Sequence, residues 1–252
     1  MKSGLFALGL FALVSAEAQA QTLVASNAGA QAASSFAGAS FGSPIAFGAD
    51  WGSVGVGFFA QTLDKDIAGV DGDGSAGVAF GLGDADRYVG LETQVSISSL
   101  SGTSGDHFGD VGSMGFKLHT NLGSGAAFAV GVTNTARWGR QQNEASVYAV
   151  ATKVFKIGTS SPRALVANIG IGDKGFQEIG RDGAGVFGSL AFYVTPQVSV
   201  VADYTGRFLN AGISAAPFRT LPFTVTLGGV NLTSRYNNDP QVAVTLGYGF
   251  QF

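Results

Sequence analysis

The stretch 241–252 alternates without a fault. Val242, Val244, Leu246, Tyr248, Phe250 and Phe252 are apolar, and Gln241, Ala243, Thr245, Gly247, Gly249 and Gln251 between them are small or polar. A repeat of two is the repeat of side chains along a β-strand, so such a strand has two faces that meet different surroundings. The pattern recurs upstream. Val89, Leu91, Val95 and Ile97 oppose Glu92, Gln94, Ser96 and Ser98, while Met114, Phe116, Leu118 and Leu122 oppose Ser113, Lys117, His119 and Asn121. Phe223, Val225 and Leu227 oppose Thr224, Thr226 and Gly228. Residues 185–194 break the rule. Val186, Leu190 and Phe192 on one face meet Phe187 and Tyr193 on the other, and no phase can be assigned there.

Composition decides what kind of strand protein this is. The chain is 46% hydrophobic and only 12% charged, with a mean hydropathy of +0.27. A soluble domain carries about 25% charged residues. Yet after Gln21 no run approaches the roughly 18 continuous apolar residues of a membrane helix. Apolar residues that are abundant but dispersed at a repeat of two are the signature of a membrane barrel, with the apolar set toward lipid and the polar set inside. A soluble barrel shows the same alternation inverted, but the near absence of charge on the apolar faces favours lipid outside. The 39 glycines and 6 prolines suit tight turns and small inward positions. There are no cysteines, so no disulfide or thiol chemistry is available. A net charge of −3 without a basic patch argues against nucleic acid.

About twelve strands are expected, near 51–61, 75–82, 88–99, 111–122, 126–134, 146–157, 164–172, 185–194, 198–204, 208–216, 223–233 and 241–252. The second, ninth and tenth look short. Connections alternate between short turns and longer, more charged loops, as in barrels with periplasmic turns and external loops. The exception is 205–208, where Gly206-Arg207 reads as a two-residue type II′ hairpin that sets Asp203 opposite Asn210 and Tyr204 opposite Leu209.

At the other terminus Lys2, the apolar stretch 5–14 and Ala18-Gln19-Ala20 have the form of a cleaved export signal, so the mature chain is expected to begin at Gln21. This signal and the Tyr248-Gly249-Phe250-Gln251-Phe252 ending resemble the bacterial outer-membrane β-barrel superfamily, and in it the small porin-like barrels. The resemblance implies an all-β, antiparallel, up-and-down transmembrane barrel in a Gram-negative outer membrane. It also implies contact with outer-membrane lipid and lipopolysaccharide, and a barrel-assembly machinery that reads Tyr248, Phe250 and Phe252. The expected organisation is a signal peptide at 1–20, an Ala/Ser/Gly-rich segment at 21–50 and a barrel at 51–252. The middle segment can be a periplasmic leader, an extra strand or a plug.

Glu92, Gln94, Lys117 and His119 should meet on the inner wall, because their strands form a hairpin whose parity sets Glu92 opposite Lys117 or His119. A carboxylate facing a cation in a narrow lumen sorts small solutes, or simply fills the barrel as an ion pair. Asp203, Asn210, Asn168 and Lys153 are expected to add interior polarity. No arginine ladder or ring of one sign appears, so strong ion selectivity is not expected.

Other motifs carry less. Asp64, Asp66, Asp71 and Asp73 lie in the first loop, but the run from Asp71 to Ser75 lacks a third ligand position and the distant Glu of a calcium loop, so no metal is expected. Gly170-Ile171-Gly172-Asp173-Lys174-Gly175 matches G-x-G-x-x-G but opens no βαβ unit, so it reads as a strand end. Of the two histidines, His107 sits in a loop with Asp106 and Asp110, and His119 faces inward. No G-x-S-x-G elbow exists, and neither an enzyme nor a cofactor is expected. Trp51, Tyr88, Phe108, Phe155, Tyr193, Tyr204, Phe223, Tyr248, Phe250 and Phe252 cluster near strand ends as interfacial girdles do. The expected function is a narrow porin-like channel for passive passage or binding of small polar solutes. The alternative is a structural or adhesive barrel with a plugged lumen and interacting loops, followed by an outer-membrane hydrolase.

Overall fold

The computed structural model describes residues 36–63, 71–98, 100, 107–141, 143–158, 163–237 and 239–252. The export signal, residues 21–35 of the following segment, and Asp64, Asp66 and Asp106 lie outside them.

The alternating stretches become one closed sheet. Its strands are β1 (Ser53–Thr62), β2 (Gly72–Gly83), β3 (Gly90–Ile97), β4 (Gly112–Gly123), β5 (Ala126–Thr133), β6 (Arg137–Trp138), β7 (Ser146–Ile157), β8 (Arg163–Gly172), β9 (Gly185–Thr195), β10 (Val198–Tyr204), β11 (Leu209–Ala215), β12 (Phe223–Val230) and β13 (Gln241–Gln251). Each long strand pairs antiparallel with the next, and β13 returns to β1 with Val54 opposite Phe250 and Phe58 opposite Leu246. The result is an up-and-down barrel of 12 staves. Closure leaves no exposed sheet edge, so every stave has two hydrogen-bonded neighbours. Short β6 extends the β4–β5 hairpin by pairing Trp138 with Gly112, where a loop was expected.

Short connections gather at one end of the barrel, the turn end, and long ones at the other, the loop end. Several expected boundaries move, with β3 and β12 shorter than expected at Gly90–Ile97 and Phe223–Val230. β2 has 12 residues and is not short. β1 starts at Ser53, while Trp51 makes only an isolated bridge to Gly81. The tight hairpin at 205–208 has the expected register, with Asp203 opposite Asn210 and Tyr204 opposite Leu209. Gly206 supplies a φ of +90°, and a Cβ there would lie 1.9 Å from the Phe176 carbonyl oxygen. Glycine is required on both grounds.

The outer wall is apolar. Phe58, Leu118, Val147, Ile169, Ile213 and Leu227 all stand exposed on it. Along β13, Val242, Leu246, Tyr248 and Phe250 are outward and Gln241, Ala243, Thr245, Gly247 and Gly249 are buried inside.

The phase of β9 is now set. Phe187, Ser189, Ala191 and Tyr193 point inward and Val186, Leu190, Phe192 and Val194 outward. The two inward aromatics have partners that local alternation does not reveal. Phe187 packs on Phe176 from the 173–184 connection (ring centroids 4.7 Å apart) and on Tyr148 of β7 (6.1 Å). Tyr193 is buried and donates its hydroxyl to the Ala37 carbonyl at 2.7 Å, so it is not part of an interfacial girdle. Lys153 is a second correction. It follows the outward parity of Val147, Ala151 and Phe155, and its ammonium donates to the Ser124 carbonyl in the β4–β5 turn. A long side chain can lie along an apolar wall while its charge reaches the rim.

Candidate functional site

Residues 36–50 run through the lumen. Small side chains make this passage possible, because Ala37, Gly38, Ala39, Gly42, Ser43, Ala46, Gly48 and Ala49 add little volume to a backbone threading a narrow barrel. The inner wall is small where it must be. A Cβ on Gly81 of β2 would lie 2.3 Å from the Ala49 backbone. Phe41 and Ile45 from the segment pack with Phe59, Val166, Val201 and Val230 of the wall, so the barrel has a core of its own.

A buried backbone must find partners for its N–H and C=O groups. Here the wall supplies them with side chains. The segment enters at the turn end, where the Ala37 N–H donates to the Pro196 carbonyl. Gly38 donates to Ser214 Oγ at 2.7 Å and accepts from Ser199 Oγ at 2.6 Å. Ser189 Oγ donates to the Ala39 carbonyl. The chain turns at Ser43-Pro44, where Ser40 Oγ bridges the Ser43 N–H and carbonyl. Proline fits that apex because it brings no N–H to satisfy. On the return, Asn168 Nδ2 donates to the Pro44 carbonyl at 2.8 Å and Thr152 Oγ1 accepts from the Ala46 N–H at 2.8 Å.

Two clusters grip the segment from opposite walls. On β3 and β4, Lys117 Nζ lies 3.1 Å from Glu92 Oε1, with both side chains fully buried. The pair does not stand alone. Lys117 also donates to the Phe47 carbonyl, and Glu92 Oε2 accepts the Ala49 N–H at 2.8 Å. His119 Nε2 lies 2.9 Å from the Ala49 carbonyl, and Gln94 Nε2 donates to Glu92. The opposed pair is Glu92 with Lys117, and Gly90 faces His119. Beyond this cluster Asp50 accepts the Ala85 N–H in the β2–β3 turn. Burial raises the Asp50 carboxyl above its ordinary range, opposed by that hydrogen bond.

On β10, Asp203 is 1% exposed. Its Oδ2 accepts from Ser40 Oγ at 2.7 Å, the Ser43 N–H at 3.0 Å and the Phe41 N–H at 3.4 Å. Asn210 Nδ2 approaches the other oxygen at 3.5 Å. Several hydrogen bonds to one carboxyl group are what allow so polar a side chain to be buried.

The residues singled out from the sequence therefore form two groups, Glu92, Gln94, Lys117 and His119 on one side and Asp203 and Asn210 on the other, with the segment between them. The sequence reading missed Thr152, Ser189, Tyr193, Ser199 and Ser214. Thr152, Ser199 and Ser214 carried the signal of inward parity combined with a hydroxyl, which is ordinary on a barrel's inner face, while Ser189 and Tyr193 lie in the strand whose phase the sequence left unset.

The remaining motifs serve local structure. Asp73 Oδ1 accepts the N–H groups of Gly74 and Leu100, and Asp71-Gly72 leads straight into β2. His107 is exposed beside Asp110, 3.5 Å away. Gly170–Gly172 ends β8. At the loop end Arg207 donates to the Gln177 and Lys174 carbonyls. Glu178 pairs with Arg181 at 2.8 Å and Arg235 at 2.7 Å. These contacts fasten the 173–184 and 231–240 connections over the tight 205–208 hairpin.

No family model matches the chain, and no curated protein matches it. Among solved structures it is similar to an outer membrane channel of Pseudomonas putida F1 (TM-score 0.45, 11% identity, covering 79% of this chain and 95% of that one). It is also similar to the Acinetobacter baumannii outer membrane protein Omp33 (TM-score 0.45, 11% identity, 79% and 98%) and to the KdgM porin (TM-score 0.46, 10% identity, 79% and 99%). Identity this low transfers no residue role, so the site stands on this chain's own contacts.

Proposed function

We infer that this protein is a porin-like barrel of a bacterial outer membrane whose lumen is closed by its own residues 36–50 and conducts small polar solutes when that segment leaves. The observation that carries this reading is the hydrogen-bonded filling of the lumen by residues 36–50, the plug among the alternatives the sequence left open. The outer wall supports membrane residence. An apolar surface that continues around a closed barrel far exceeds the few hundred Å² of a usual soluble surface patch. Its outward charges, Lys153, Arg163 and Arg137, belong to the ends of the barrel, where lipid headgroups would meet them. Short turns are the periplasmic feature of such barrels, so in this reading the turn end, where Tyr88 and Trp51 are exposed, is periplasmic and the charged loops face outward toward lipopolysaccharide. Glu92, Lys117, His119, Asp203 and Asn210 then act as latches on the segment when it is closed and as solute-facing groups when it is open.

Planar-bilayer conductance tests this. The wild-type chain should open rarely. A disulfide between Ala46→Cys and Thr152→Cys, placed where the Ala46 N–H meets the Thr152 hydroxyl, should abolish openings until it is reduced. Gly48→Leu should raise the open fraction, because a Cβ at Gly48 would lie 2.6 Å from the His119 ring. If Gly48→Leu stays as silent as the wild type, the plug is permanent and the structural or adhesive role takes over.

A further inference from the structure

Most polar contacts from the wall go to the segment's backbone, with Ser40 Oγ on Asp203 and Ser43 Oγ on the Tyr204 carbonyl as side-chain contacts. The wall offers acceptors to N–H groups at Ser214, Asp203, Thr152 and Glu92, and donors to carbonyls at Ser199, Ser189, Asn168 and Lys117. Donors and acceptors are interspersed along the path, with two successive donors where Ser199 and Ser189 meet the Gly38 and Ala39 carbonyls. A lumen built for sugars would present paired acceptors and donors to hydroxyls, which bind either kind. Here the carboxyl groups of Asp203 and Glu92 take N–H groups and the Lys117 ammonium takes a carbonyl, while the Ser and Thr hydroxyls between them adapt to either kind. Every peptide carries that same backbone, so side-chain identity matters at the Ser40–Ser43 turn and where space is short. Space is short at three positions. A Cβ would come within 3.0 Å of Ser214 at Gly38, 2.9 Å of Thr205 at Gly42 and 2.6 Å of His119 at Gly48.

We propose that the lumen is a peptide-backbone receptor, that residues 36–50 are its resident ligand, and that the opened barrel binds separate peptides that fold back at a Ser-Pro turn as this segment does, with glycine where space is short. This rests on the reading that the segment can leave. Asp203 is the anchor for the incoming N–H groups, because the Ser40–Ser43 turn now fills its coordination. Lys117 is the anchor for a carbonyl on the opposite wall. Between them the pocket left by Phe41 and Ile45 takes an apolar side chain.

Gly48→Leu changes the plug and leaves every wall residue as it is. Its folding is checked by heat-dependent gel migration, and Gly42→Leu gives a second variant that crowds Thr205 instead. Three fluorescent peptides are titrated against each protein in detergent and read by anisotropy. The first is the 36–50 sequence, and the second has its remaining residues shuffled with Gly38, Ser40, Gly42, Ser43, Pro44, Gly48 and Asp50 kept in place. The third is the 36–50 sequence N-methylated at Phe41, Ser43, Ala46 and Ala49.

The first two should bind the variants and not the wild type. The methylated peptide should bind more weakly by at least about tenfold, the loss expected for one buried hydrogen bond to a charged group. Binding of the native-order peptide alone would show a private latch and overturn the proposal. Equal binding of the methylated peptide would show apolar capture and overturn it too. If the variants conduct but bind no peptide, the receptor fails while the gated pore survives. If they neither conduct nor bind, both readings fall together.

Discussion

At the scale of single residues, the Glu92–Lys117 pair has the highest energetic stakes. Two charges taken fully out of water gain from each other only when their remaining hydrogen-bonding capacity is also met. Here the segment meets it, with the Phe47 carbonyl on the ammonium and the Ala49 N–H on the carboxylate. Removing one partner strands the other. Lys117→Met should therefore cost about 3–5 kcal/mol, read by urea unfolding in lipid vesicles. Replacing both, with Glu92→Met added, should cost less than Lys117→Met alone. Equal stability of Lys117→Met and wild type would mean that the pair is hydrated. Parity put Glu92, Lys117 and His119 on one inner face, and the register of the hairpin then chose Lys117 over His119 as the partner of Glu92. The second partners of the pair were not legible, because a backbone carbonyl belongs to every residue and no residue type marks it.

At the scale of elements, β9 separates local from global information. Alternation could not phase it because aromatic side chains occupy both faces. The inward pair is explained by the Phe176 connection and by Ala37, which lie outside the strand itself. A cysteine at Leu190 should react with a membrane-soluble thiol reagent in vesicles, whereas one at Ala191 should resist it. The reverse result would put β9 in the opposite phase and shift its register against β8 and β10, since a slip of one residue exchanges the two faces. Most other staves were readable because small or polar residues predominate inward, with exceptions such as Phe59, Tyr148 and Val166. That leaves only one face able to meet an apolar medium.

At the scale of the whole molecule, barrel and segment depend on each other. The inner residues of β1, β2 and β5 are mostly Gly, Ala or Ser, and a barrel so lined needs something to fill it. The described interior is filled by the chain's own 36–50. The outer wall makes a separate demand. The purified chain should remain dispersed only with detergent, and a monodisperse species in plain buffer would contradict a lipid-facing exterior. The β13 end belongs to this scale as well. Phe252 is 83% exposed, so Phe252→Ala should leave the stability of refolded barrel unchanged while lowering its yield in the outer membrane. Loss of stability in the refolded protein would assign Phe252 a packing role instead of an assembly one.

The sequence alone determined the strand positions, the two faces of most strands, the alternation of turns and loops, and the hairpin at Gly206. All of these follow from the contrast between an apolar surrounding and a polar interior, which each strand registers locally through its own side chains. Only the tertiary structure decided that the lumen is filled, which residues hold the filling and how β9 faces. Gly38 and Ser214 are 176 residues apart and Ala46 and Thr152 are 106 apart. Such bonds join a backbone amide to a common hydroxyl, groups present throughout the chain, so their pairing is specified by closure of the barrel around the segment and by no local pattern.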